Sequence, residues 1–93
     1  MRTIKYTSQF KRDYKCEQRS GYYQKLDDDL LTIVKLLAAD ASLPINKHDH
    51  ALCGDWNDYR DCHIKPDLVL IYRKPNKETL ELVRLGSHSK LSL

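Results

Sequence analysis

Three of the four histidines in the chain, His48, His50 and His63, share the stretch KHDHALCGDWNDYRDCHIKPD (Lys47 to Asp67) with Cys53, Cys62 and the only tryptophan. Imidazole titrates near pH ~6.5, so such a cluster can give or take protons at neutrality. Beside cysteines it can also hold zinc or activate a thiolate.

The zinc alternative is weak on spacing. No C-x₂-C or H-x₃₋₅-H pair occurs, and adjacent Cys62 and His63 would point to opposite faces of a strand. A Cys–His nucleophile fares no better. Cys62 should face inward, and Cys53 lies in a glycine-containing loop without an orienting partner. No metal and no cofactor are therefore expected. Histidines on the surface of a non-catalytic binding module are the bland alternative.

At 93 residues, the chain has room for one domain with one modest core. Hydrophobic residues at 41% and charged residues at 31% are ordinary for a globular protein, and no apolar run approaches a membrane span. The opening MRTIKYTSQFKRDYK has no apolar signal region, and three cysteines in no paired spacing suggest reduced thiols. The expected compartment is the cytoplasm.

The net charge of +3 hides a segregation. Residues 1–25 hold seven Lys/Arg against two Asp/Glu, residues 26–67 four against nine, and residues 68–93 five against two. The basic first segment could face a polyanion such as RNA, or be only a solvated helix face.

Periodicity supplies the elements that must position the histidines. RTIKYT reads as a short strand, and Ser8 stands where an N-cap would, before the basic helix QFKRDYKCEQRS. Gly21 interrupts. YYQKLDDDLLTIVKLLAAD then repeats apolar positions at Tyr23, Leu26, Leu30, Ile33, Val34 and Leu37, a helix with one face for burial. Asp27, Asp28 and Asp29 suit its N-terminal half, where the helix dipole favours negative charge. After Lys47 the period becomes two. Tyr59–Ile64, Leu68–Tyr72 and Thr79–Leu85 read as strands, with turns at Lys65-Pro66 and Pro75–Glu78. The expected fold is α+β: an N-terminal strand and two helices packed on a twisted antiparallel sheet, all in one domain, residues 1–93.

Alternation puts Tyr59, Asp61 and His63 on one strand face and Arg60, Cys62 and Ile64 on the other. Asp67 follows the next turn, Arg84 falls between core positions of the last strand, and His88 comes directly after it. These segments can bring His50, Asp61, His63, Asp67, Arg84 and His88 to one rim of the sheet. Titratable groups around a cation suit a phosphodiester.

The run from His50 to Tyr72, H-x-L-x-G-x-W-x-x-Y-R-D-x-H-x-x-P-D-x-x-L-I-Y in pattern form, followed by Arg84-Leu85-Gly86-Ser87-His88, resembles the YafQ branch of the RelE toxin superfamily. The likeness covers nearly the whole chain. It implies the order β-α-α-β-β-β, with or without a short C-terminal helix, and a bacterial type II toxin. It further implies a metal-independent endoribonuclease that cuts mRNA, usually on the ribosome, and is neutralised by a cognate antitoxin. The family's active-site positions fall on His50, Asp61, His63, Asp67, Arg84 and His88. The family often has a substrate-stacking aromatic near its C-terminus, whereas this chain ends Lys90-Leu91-Ser92-Leu93.

RNA brings its own nucleophile, the 2′-hydroxyl, so such a site needs alignment, a base, an acid and positive charge. Arg84 suits the scissile phosphate. His50 and Asp67 are candidates for base or base-orienting roles and His88 for the acid. His63 suits phosphate contact or a second proton transfer, and Asp61 orients a neighbour. The histidine roles are interchangeable at this level. His48 is expected in solvent without catalytic duty, and Trp56 and Tyr59 in packing. Lys11, Arg12, Lys15, Arg19 and Lys90 are candidate RNA contacts. A non-catalytic regulatory module that binds antitoxin or nucleic acid is the alternative function.

Overall fold

A computed structural model describes residues 1–92 and all their side chains except that of Asp55. The C-terminal Leu93 lies outside the described residues. The order is β1 (Thr3–Tyr6), α1 (Ser8–Ser20), α2 (Leu26–Ala38), β2 (His50–Ala51), β3 (Arg60–Lys65), β4 (Leu68–Asn76), β5 (Thr79–Gly86) and α3 (His88–Leu91). Short 3₁₀ turns cover Ile45–Lys47 and Gly54–Trp56.

The β3–β4–β5 meander is antiparallel, as its turns imply, and β1 adds beside β5 in parallel, making a mixed sheet of order β1-β5-β4-β3-β2. A parallel neighbour needs a long connection, which the two helices and the meander supply. The two-residue strand β2 falls where alternation shows no pattern. It is held by pairing with β3, His50 opposite Asp61 and Ala51 opposite Arg60.

Helices α1 and α2 cover one sheet face. Phe10, Leu26, Leu30, Ile33, Val34 and Leu37 pack there on Cys62, Ile64, Leu70, Tyr72, Leu80, Leu82 and Leu85. The N-cap of α1 is Thr7, one residue before the expected Ser8. Its hydroxyl accepts from Phe10 N at 3.0 Å and donates to Val83 O at 2.7 Å, so one side chain caps the helix and ties it to β5. Gly21, at φ 66°, ends α1 in the left-handed conformation that glycine adopts without strain. Helix α2 starts at Leu26, later than its periodicity suggested, with Asp27, Asp28 and Asp29 in its first turn. Strand β4 runs on to Asn76, through Pro75.

The opposite face carries a smaller cluster, Val69, Ile71, Val83 and Leu91, flanked by Leu52, Trp56 and Tyr59. Trp56 and Tyr59 pack edge to face at 5.4 Å, the packing role expected of them. The register jumps from Ile71–Arg84 to Tyr72–Leu82, leaving Val83 as an extra residue on β5. Such a bulge switches which face the later side chains take. Val83 joins the small cluster and Leu85 returns to the helix side.

Candidate active site

Asp61 is the central residue of the small face. It sits mid-strand on β3, opposite His50 on β2 and Ile71 on β4, with Arg84 on β5 next in the same row. It is 2% exposed. Its Oδ1 lies close to Nδ1 of His50, yet no described residue, His50 included, gives it a hydrogen bond of good geometry. Burial raises the carboxyl pKa of Asp61, while His50, His63 and His88 pull it down. A carboxylate facing Nδ1 leaves Nε2 of His50 as the nitrogen free for proton transfer, as in an Asp–His pair.

His63 lies two residues on, half-buried, between two other imidazoles. Its ring centroid is 5.0 Å from that of His48 and 5.1 Å from that of His88. Burial lowers its pKa first, and His88 and His48 lower it further against the pull of Asp61. His63 therefore favours the neutral form.

His88 is placed by a sharp return of the chain. Ser87 caps α3 by accepting from Lys90 N at 3.1 Å, and His88 is the first residue of that helix. Gly86 allows the return, since a Cβ there would lie 3.1 Å from Lys90 Cδ and 3.4 Å from Leu91 Cδ2. His48, His50, Leu52, Asp61, His63 and His88 together line an open cavity of about 410 Å³. The exposure expected of His48 is present, yet its ring belongs to the cavity wall.

Two of the expected residues lie elsewhere. The Nε of Arg84 donates to Oδ2 of Asp13 at 2.7 Å and its Nη2 to Oδ1 at 3.4 Å, so its guanidinium is held by α1. Asp67, exposed in the β3–β4 turn, lies beside the Tyr23 phenol, whose pKa burial and then Asp67 push up to about 12. Neither lines the histidine cavity. Asp13 itself escaped the sequence reading, although a carboxylate one turn from Phe10, on the face that helix buries, was a usable signal.

Asp49 was also missed. Its Oδ1 accepts from Tyr72 Oη at 2.5 Å and from Arg60 Nε at 3.2 Å, anchoring the loop that carries His48 and His50. Burial and Asp49 raise the Tyr72 pKa, keeping the phenol a donor.

Lys11, Arg12, Lys15 and Arg19 are exposed along α1, and none of them forms an ion pair within the described residues. Lys90 Nζ lies 3.4 Å from Glu17 Oε1, so the end of α1 adjoins the helix that starts with His88. Cys62 is fully buried, and burial pushes its thiol up to about 12, which rules against a thiolate nucleophile there. Among the described residues no three His, Cys, Asp or Glu side chains converge to hold a metal ion. None of their helices is long and apolar enough to cross a membrane.

The mixed sheet, the paired helices and the α3 return are those of the RelE-like class of small α+β toxins. Residues 2–93 match the family described as bacterial toxin of type II toxin-antitoxin system, YafQ, and the chain belongs to that family. It is 36% identical to the mRNA interferase toxin YafQ of Escherichia coli K12, over 97% of this chain and 95% of the relative. mRNA interferases are endoribonucleases. The fold superposes on YafQ in the E. coli DinJ–YafQ complex with a TM-score of 0.84 at 34% identity, covering 98% of each chain. A metal-bound toxin from Helicobacter pylori is similar as well: TM-score 0.85, 43% identity, 98% of this chain and 99% of that one.

Proposed function

We propose that this chain is a toxin that cleaves mRNA by attack of the substrate's own 2′-hydroxyl, with the histidine cavity as its active site. The observation that carries this reading is the His50–Asp61 pair, which faces the same cavity as His63 and His88. His50, oriented by Asp61, takes the 2′-hydroxyl proton through Nε2. The 2′-oxygen bonds to phosphorus, the P–O5′ bond breaks, and His88 delivers a proton to the departing O5′. Neutral His63 donates its N–H to a non-bridging phosphate oxygen as charge develops there.

Arg84 can hold the scissile phosphate only if its guanidinium turns from Asp13. The H. pylori relative is known in a metal-bound form, but the donors here do not converge on one point, and no step is assigned to a metal.

The four cations of α1, none of them in an ion pair within the described residues, supply phosphate contacts on mRNA and the ribosome, and a ribosome-bound substrate goes with a cytoplasmic site of action. They also suit an acidic, partly disordered antitoxin segment that folds as it binds, a partner standing to this chain as DinJ does to YafQ.

The test is incubation of antitoxin-free protein with RNA, with and without ribosomes, in excess EDTA. Cleavage should persist and yield a 2′,3′-cyclic or 3′-phosphate opposite a 5′-hydroxyl. A 2′-deoxy nucleotide 5′ of the scissile bond should abolish cutting while leaving binding nearly unchanged. Efficient cutting of that strand would mean that another nucleophile acts. Absence of any cleavage would leave a binding module.

A further inference from the structure

A second cleft, of about 540 Å³, adjoins the histidine cavity and shares His48 and His50 with it. Ser42, Leu43, Pro44, Ile45 and Asp49 complete its lining. Ile45 is 95% exposed, the highest value among the exposed large hydrophobic residues, and it stands beside the cavity rather than on a distant surface.

The loop that holds Ile45 out is not slack. Lys47 N donates to Pro44 O at 2.9 Å and His48 N to Ile45 O at 3.2 Å, closing the 3₁₀ turn. Leu43 packs against the main core, and Asp49 is tied to the buried Tyr72 hydroxyl and to Arg60. The aliphatic side chain is thus presented to water by a loop anchored on both sides of it. A pre-formed apolar surface needs no ordering when something binds.

We propose that this cleft is a nucleobase subsite, taking the base of a nucleotide that flanks the scissile bond. The inference rests on the reading of the histidine cavity as the cleavage site. A strand lying in that cavity has to leave it, and the shared His48 and His50 wall makes the second cleft an exit. An unstacked base offers an apolar face and a polar edge, and single-stranded RNA is recognised by giving that face a surface. Leu43, Pro44 and Ile45 give the cleft its apolar lining, while Ser42 and Asp49, whose Oδ1 is held by Tyr72 and Arg60, add polar groups to the same lining. A protein partner would need an apolar patch far larger than one isoleucine and its neighbours.

Two measurements test this. RNA carrying 4-thiouridine beside a cleavage site blocked by 2′-deoxy substitution is irradiated with the protein, alone and on programmed ribosomes. Cross-links to residues 42–45, located by mass spectrometry, are expected, and cross-links confined to other segments overturn the subsite. In kinetics, Ile45→Ser should raise KM about tenfold with kcat unchanged, the scale of losing one base contact. Ile45→Phe should restore wild-type KM. Because Ile45 touches little of the protein, both variants should fold, which circular dichroism verifies. Wild-type KM in Ile45→Ser overturns the subsite while the cleavage reading stands; a wild-type protein that binds RNA through residues 42–45 but never cuts overturns the cleavage reading instead. If Ile45→Ser weakens capture of an antitoxin segment and leaves RNA kinetics alone, the cleft is a protein site and the proposal fails.

Discussion

Asp13 and Arg84, from the first helix and the last strand, share a two-point hydrogen-bonded ion pair, and the same Asp13 Oδ2 accepts the backbone N–H of Leu85 at 3.0 Å. Pairing between β1 and β5 stops at Tyr6 opposite Leu82. Beyond that point Thr7 and Asp13 satisfy the open edge of β5. Removing either ion-pair partner strands the other, so Arg84→Ala and Asp13→Ala should each cost about 1–3 kcal/mol in denaturant unfolding. The double variant should cost less than the sum. If Arg84 also turns to the phosphate, Arg84→Ala should lower the cleavage rate of folded protein by roughly 10²-fold. An intact rate would confine Arg84 to the fold.

His63 titrates below the ordinary histidine value because it is buried and faces His88 and His48. The unfolded chain protonates this residue near pH ~6.5, while the folded chain resists. The stability that comes with neutral His63 is therefore present above about pH 6.5 and is lost as pH falls through the lower folded value. In His63→Asn that loss should disappear from the stability–pH curve. His48→Ala removes one of the repelling neighbours, so NMR titration of the His63 ring should show its pKa moving up.

Asp61 shows the opposite shift: burial raises its pKa despite three neighbouring histidines. The folded chain resists ionisation of this group, so its stabilising contribution is full below the unfolded carboxyl value and is lost as pH rises through the higher folded one. Asp61→Asn keeps the shape without the charge. The melting temperature should rise at neutral pH, whereas cleavage should fall by ~10² or more because His50 loses its orienting carboxylate. A destabilised Asp61→Asn protein would show that pairing with His50 outweighs the burial cost.

His88 depends on the return of α3 over Gly86. His88→Ala should reduce cleavage by at least ~10²-fold with little loss of stability. Gly86→Val should reproduce much of that loss with His88 intact, because the new side chain meets Lys90 and Leu91 and displaces the helix. Wild-type turnover in folded Gly86→Val would show that α3 need not stay in place.

The sequence alone determined the two longer helices, the three meander strands and the face of β3 on which Asp61 and His63 lie. Period-two alternation put Asp61 and His63 on one side of β3 and Cys62 and Ile64 on the other, because strand side chains alternate whatever the sheet is packed against. The α2 stripe and the turns were legible for the same reason: they follow from local sterics and local apolar spacing. Tertiary structure decided which titratable groups meet. The parallel pairing of β1, the short β2 that sets His50 against Asp61, and the bulge at Val83 all depend on partners distant in the chain. Local spacing places Arg84 and Asp67 near the rim as plausibly as His48. Only the fold gives Arg84 a carboxylate on α1, sets Asp67 beside Tyr23, and turns His48 into the cavity wall, because an ion pair or a ring contact depends on distance in space, which a sequence of residue types does not contain.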